Sequence, residues 1–247
     1  MLPHKWYIAG TGNMGTALGE ALQRTPGLLF AGWLTTNPGK QLTHPVYSIT
    51  EYADKEAGVF LCIPDRFIAS AAESLKQQFS MVVHCSGMQP LHPHCDAVCW
   101  PMQTFSTRVP SEWTDVPVFI ESRQVEVQDF LLSLFANLGS APQVCSQEQR
   151  QNAHLAAVIA NNFSNAMFMF ASTVLENKGM NPELLLPIIK QTVQKLQSAG
   201  IKDAQTGPAI RHDADTLLMQ MEMLKNNPKM QHLYHEISDA IPVLFKK

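Results

Sequence analysis

Gly10, Gly12 and Gly15 stand in the spacing GxGxxG, after the apolar run Trp6-Tyr7-Ile8-Ala9 and before Thr16-Ala17-Leu18-Gly19-Glu20-Ala21-Leu22, which has helical spacing. Strand, glycine turn and helix in that order make a cradle for a diphosphate. Gly10 permits the tight turn, Gly12 lets the backbone approach the ligand, and Gly15 lets the helix lie close on the strand. The first helical turn offers unpaired N–H groups and a partial positive charge to an anion. Thr11, Asn13 and Met14 fill the positions between and share the expected contact. Binding of a dinucleotide is what this stretch predicts.

A second group of residues bears on which dinucleotide. NAD sites place Asp or Glu about twenty residues beyond the glycines, to hold the ribose 2′-hydroxyl. Here the chain reads Thr35-Thr36-Asn37, and from there no carboxylate comes before Glu51. Hydroxyls and an amide accept a 2′-phosphate without repelling it, and Lys40 is close enough in sequence to help, although the usual Arg is missing. NADP is therefore the expected cofactor, with NAD the alternative. Open parallel sheets bind ligands at the carboxyl ends of their strands. Ile63 and Pro64 end one strand, and Ser86 and Gly87 end the next. The Ser86 hydroxyl and the two amides could meet ribose or nicotinamide, or Ser86-Gly87 is only a turn. His84 reads as a hydrogen-bonded strand residue.

The third group lies in the second half. His154, Asn161 and Asn165 are seven and four residues apart, which puts them along one helix face, with Asn162 just beside it. Polar side chains among Leu155, Val158, Ile159 and Phe163 need partners if buried. A ligand is one solution: His154 as proton donor, Asn162 and Asn165 holding a substrate oxygen or the nicotinamide, and Asn161 contacting substrate. Capping of neighbouring helices or exposure to water is the other. Arg211, in the segment Gly207-Pro208-Ala209-Ile210-Arg211-His212-Asp213, suits a carboxylate or phosphate because its charged fork is planar. Asp213 is read as a helix cap. His84, Cys85, His92, His94, Cys95 and Cys99 invite a metal, but there is no CxxC pair and Pro93 splits the histidines. The expectation is no metal site, and a loop of incidental ligands.

Elements to position these groups follow from pattern. Leu28–Leu34, Val46–Ile49, Gly58–Ile63, Met81–Cys85, Val116–Ile120 and Ala141–Cys145 read as further strands, with helices over 67–79 and 125–138. Repeated strand-helix units imply a parallel sheet with helices on both faces. Ser146-Gln147-Glu148-Gln149 fits a capping box, and beyond it no strand signal remains. The expected fold class is α/β: a Rossmann-like, doubly wound, mostly parallel sheet over 1–146, followed by an all-α domain over 147–247.

These residues carry a resemblance. The layout is similar to the superfamily of pyrroline-5-carboxylate reductase, 6-phosphogluconate dehydrogenase and the deazaflavin-linked NADP oxidoreductases. Gly10-Thr11-Gly12-Asn13-Met14-Gly15 resembles the reductase version of the fingerprint. An uncharacterised bacterial family, with a Rossmann-like domain before a helical domain of unknown function, is a closer match. Its likeness rests on His84-Cys85-Ser86-Gly87, Pro101-Met102-Gln103-Thr104-Phe105, His154-Leu155-Ala156-Ala157 running to Asn162-Phe163-Ser164-Asn165, and Gly207 to Asp213. The resemblance implies the fold and NADP binding. Related dehydrogenases protonate the hydride acceptor with polar residues of the corresponding long helix, but their usual Lys is not evident here.

Bulk properties set the limits. The 247 residues are 45% hydrophobic, with net charge −3 and no basic tract, so nothing points to nucleic acid or an anionic membrane. No apolar run reaches the ~18 residues a membrane span needs. Five irregularly spaced cysteines favour free thiols, and with no signal pattern at the start the expected location is cytoplasmic. Methionine-rich apolar helices in the second half suggest a homodimer. The function expected is an NADP-dependent oxidoreductase passing hydride to or from a small, anionic substrate in a cleft between the halves. The alternative is a non-catalytic dinucleotide-binding protein that senses cofactor or docks a partner.

Overall fold

The structure is a computed structural model that describes residues 2–37, 39, 42–106, 108 and 112–245. By internal contacts the chain divides into two compact units, Met1–Ala160 and Asn161–Lys247. The first unit is built on one sheet. Its strands are β1 (Lys5–Ala9), β2 (Leu29–Thr35), β3 (Val46–Ser48), β4 (Asp54–Leu61), β5 (Phe79–His84), β6 (Ala97–Pro101), β7 (Pro117–Ser122) and β8 (Ala141–Val144). Its spatial order is β3-β2-β1-β4-β5-β6-β7-β8. All neighbours run parallel except β6 and β7. The fold is Rossmann-like, and the order reverses beside β1, where such sheets open a ligand crevice.

Helices cover both faces, so the central strands read as continuous apolar runs rather than alternating ones. Trp6 and Ile8 of β1 and Phe60 of β4 join one core with Leu18 and Leu22 of α1 (Asn13–Gln23) and Leu131 and Phe135 of α3 (Val125–Asn137). Their alternates Tyr7, Ala9, Val59 and Leu61 join the other, under Ile68, Ala72 and Leu75 of α2 (Ile68–Lys76). Both edges are poor in pairing capacity: β3 has three residues, and β8 carries Pro142 opposite Val118.

β6 departs from the sequence reading. Cys99 was expected in a loop of incidental ligands, yet Ala97, Val98 and Cys99 are completely buried between β5 and β7. Among the described residues no group of His, Cys, Asp or Glu is placed to hold a metal ion.

The last strand ends at Val144, and α4 (Gln147–Ala157) starts from the expected capping box: Gln149 N–H donates to Ser146 Oγ, and Ser146 N–H to Gln149 Oε1. A π-helical turn, Val158–Phe163, joins α4 to α5 (Ser164–Glu176). The continuous helix, Gln147–Glu176, contains an 18-residue window with a mean hydropathy of 1.2, long and apolar enough to cross a membrane by length and composition alone. Its apolar residues are interleaved with His154, Asn161, Asn162 and Asn165, which hid that length from inspection of the sequence. The helical unit continues with α6 (Leu186–Ala199), α7 (Ala214–Met223) and α8 (Pro228–Leu244). Asp213 and Asn227 cap α7 and α8 with their side chains.

Candidate functional site

The glycine turn has the geometry its spacing predicts. Gly10 follows β1 at φ +108°, a conformation that side chains disfavour, and a β-carbon there would overlap the Cys62 carbonyl oxygen. A β-carbon on Gly15 would overlap the Gly10 carbonyl oxygen, so that glycine sets the approach of α1 to the turn. Gly12 differs: nothing lies within 4 Å of where its β-carbon would be. It is exposed, it begins α1, and neither a side-chain cap nor an acidic first-turn residue covers the helix end. The space above Gly12 is therefore free for a ligand to meet the opening amides of α1, Asn13 and Met14 included.

Beside the turn lies a cavity of about 480 Å³, within the usual range for small-molecule sites. Gly10, Thr35, Thr36, Ile63, Pro64 and Phe67 are among its lining residues. The ends of β1, β2 and β4 thus bring together five of the residues expected from sequence. Asn37 N–H donates to Thr35 Oγ1 at 3.2 Å, which fixes the loop after β2. Lys40 lies outside the described residues. Sequence reasoning missed Arg66, whose guanidinium sits 4.7 Å from the centre of the Phe67 ring. That ring belongs to one of the cavity's lining residues.

The turn after β5 is more constrained than its Ser-Gly composition suggests. Ser86 Oγ donates to Asp65 Oδ2 at 2.8 Å and accepts from Met88 and Gln89 N–H. That hydroxyl is wholly engaged within the chain. His84, completely buried, accepts from Ser86 N–H at Nδ1 and lies 3.1 Å from Pro90 O at Nε2, which fits the neutral ring protonated on Nε2. Burial, and then the Arg150 charge, push its pKa down to about 4.

Arg150, on the first turns of α4, is the residue that holds this corner, and nothing in the sequence singled it out. It is completely buried. One amino group donates to Ser86 O at 3.0 Å and Gly87 O at 2.9 Å, and the other pairs with Glu121 of β7 at 2.8 Å. Four residues later, one helical turn on, His154 stands over Gly87. A β-carbon on Gly87 would overlap the His154 ring, and Trp100 packs against that ring at 5.3 Å. His154 is half-buried and thereby fixed beside the end of β5.

In the helical unit, Asn161 and Asn162 lie on the π turn and Asn165 on the first turn of α5, all exposed. The wider turn breaks the α-helical period on which their alignment with His154 rests. Arg211 is exposed in the loop before α7. Its neighbour Asp213 is a helix cap, as expected, and its bonds to Thr216 hold its carboxyl below the usual range.

Comparison with known proteins adds a family. Residues 116–241 match a domain of unknown function, DUF2520. No curated protein matches the chain. Among solved structures, a protein of Bacteroides fragilis described as a candidate NADP oxidoreductase is 28% identical, with a TM-score of 0.89 and coverage of 98% of each chain. A Thermotoga maritima protein is 20% identical, with a TM-score of 0.73 and the same coverage. Pyrroline carboxylate reductase of Plasmodium falciparum, solved with NADP bound, is 14% identical, with a TM-score of 0.59 over 96% of this chain and 99% of its own.

Proposed function

The chain belongs to the DUF2520 family, and we propose that it is an NADP-dependent oxidoreductase acting on a small, anionic substrate. The observation that carries this reading is the open space over Gly12 at an uncapped helix start, next to a cavity of about 480 Å³. The fit to a dinucleotide is good. The amides of Gly12, Asn13, Met14 and Gly15 hold the diphosphate, with Thr11 beside them. Thr35, Thr36 and Asn37 take the ribose 2′-phosphate, with Arg66 supplying charge. Ile63, Pro64 and Phe67 enclose the adenine. The likeness to the Bacteroides fragilis protein over nearly the whole chain supports the same choice of cofactor.

Bound NADP supplies hydride chemistry. In this reading His154, steadied by Trp100 and Gly87, donates or accepts the proton at the substrate's carbonyl oxygen or imine nitrogen. Gly87 and the Ser86 amide border the reacting centre. Asn162 and Asn165 orient the polar atom that changes hydrogen bonding, and Asn161 and Arg211 bind the anionic group. The exposed apolar helices of the second unit support assembly as a homodimer.

Thermal unfolding with NADP, NAD and neither tests the cofactor. A ligand at a hundred times its dissociation constant adds ~2.7 kcal/mol to the folded state, and NADP is expected to outperform NAD. An unmoved transition with both overturns the reading. Oxidation of NADPH with a panel of ketones, imines and their carboxylate-bearing forms tests the chemistry. His154→Ala is expected to keep NADP affinity and lose turnover. NADP binding with no turnover across the panel would favour the sensing role instead.

A further inference from the structure

We propose that Cys62 and Cys85 form a dithiol that a hydroperoxide closes into an intramolecular disulfide beneath the glycine turn, weakening nucleotide binding there. The pair is built by the sheet. Leu61 of β4 faces His84 of β5, so the next residue on each strand is a cysteine, and Cys85 N–H continues the ladder to Leu61 O at 3.2 Å. Neighbouring strands lie about 4.8 Å apart, inside the ~4.4–6.8 Å between Cα atoms that a disulfide spans. The two sulfurs are 3.7 Å apart and pack on the same side of the sheet as Met14 of the glycine turn. Both cysteines are half-buried, whereas Cys95, Cys99 and Cys145 are buried.

The roles of the two thiols differ. Contact with Cys62 and burial push the Cys85 thiol up, and at 3.7 Å from the Cys62 sulfur Cys85 is placed to resolve an oxidised Cys62. The Cys62 sulfur attacks the peroxide, breaking its O–O bond and passing its proton to the departing oxygen, which gives Cys62 sulfenic acid and the alcohol, or water from hydrogen peroxide. The Cys85 sulfur then attacks the Cys62 sulfur, the S–S bond forms, and hydroxide leaves with the Cys85 proton as water. Two electrons pass from the thiols to the peroxide. Closing the sulfurs from 3.7 Å to a bond of about 2.0 Å turns both side chains within the core that they share with Met14 of the glycine turn. Gly10 lies against the Cys62 carbonyl with no room for a methyl group, so an adjustment at Cys62 is passed to the turn.

The consequence for nucleotide rests on the function proposed above; the thiol chemistry does not. The test treats the full chain, first reduced, with hydrogen peroxide. Free thiols are counted, linked peptides mapped, and NADP affinity measured before and after. Two of the five thiols are expected to disappear, with a Cys62–Cys85 peptide, a several-fold loss of NADP affinity, and recovery of both with dithiothreitol. Cys85→Ser and, as a second variant, Cys62→Ser should keep their NADP affinity through the same treatment. Five surviving thiols, a link through another cysteine, or a Cys62–Cys85 link that leaves NADP affinity unchanged would each overturn the proposal. If neither redox state binds NADP, the cofactor reading fails, and the thiol count and peptide map still decide the dithiol.

Discussion

Both units are rich in large apolar side chains, but only the sheet unit hides them. Ile8, Leu18, Leu131 and Phe135 are completely buried, while Leu218, Met219 and Met223 of α7 remain 68%, 70% and 72% exposed. Among the described residues from 161 onward, Ala209 alone is buried. The sheet unit builds two apolar cores, one on each face, with three helices. The helical unit does not, and its exposed stripe exceeds what isolated surface residues normally need. One half is a finished scaffold, and the other is specified for a surrounding that it does not itself supply.

Arg150→Ala is the strongest test of the finished half. It strands Glu121 and two carbonyls at the corner after β5, and a loss of about 4 kcal/mol is expected in denaturant unfolding. Leu131→Ala should cost about 3 kcal/mol by leaving a cavity, whereas the same truncation at Leu218 should change stability by under about 0.5 kcal/mol in dilute protein. A large Leu218→Ala effect that grows with concentration would break the contrast and put α7 in an interface.

His84 sharpens it through pH. Its folded pKa of about 4 lies below the ordinary value near 6.5, so the unfolded chain takes the proton first. The stability that His84 contributes is intact above about 6.5 and falls as pH drops toward 4, by up to about 3 kcal/mol, and His84→Gln should flatten that slope. A last pair of substitutions divides the glycines. Gly10→Ala should lose about 2 kcal/mol through strain and overlap, whereas Gly12→Ala should unfold like the parent and lose nucleotide affinity alone.

Much of the sheet unit was legible because its signals are local. The glycine spacing, the apolar runs and the Ser146 capping box each declare themselves within a few residues, and the structure has all three. β6 was not, since Cys99 and the preceding Cys95, His92 and His94 point to ligand chemistry while its burial depends on neighbours β5 and β7. The candidate site was legible in part. Gly10, Thr35, Thr36, Ile63 and Pro64 share one cavity as their positions after strands implied. Arg150 escaped notice because its partners Ser86 and Gly87 lie more than sixty residues away, and on the sequence it resembles any basic residue on a helix surface. The π turn likewise has no mark in Val158-Ile159-Ala160-Asn161-Asn162-Phe163.

The margins of the sheet carry a last consequence. A three-residue strand on one side and a proline-bearing strand on the other leave little free backbone for a foreign strand to add to. Two copies of this chain therefore gain little by fusing their sheets into one continuous ribbon, and the same blunt margins guard against runaway fibrous stacking. Any self-recognition is left to side chains on helices, where shape and hydrophobicity choose the partner rather than the indiscriminate peptide group.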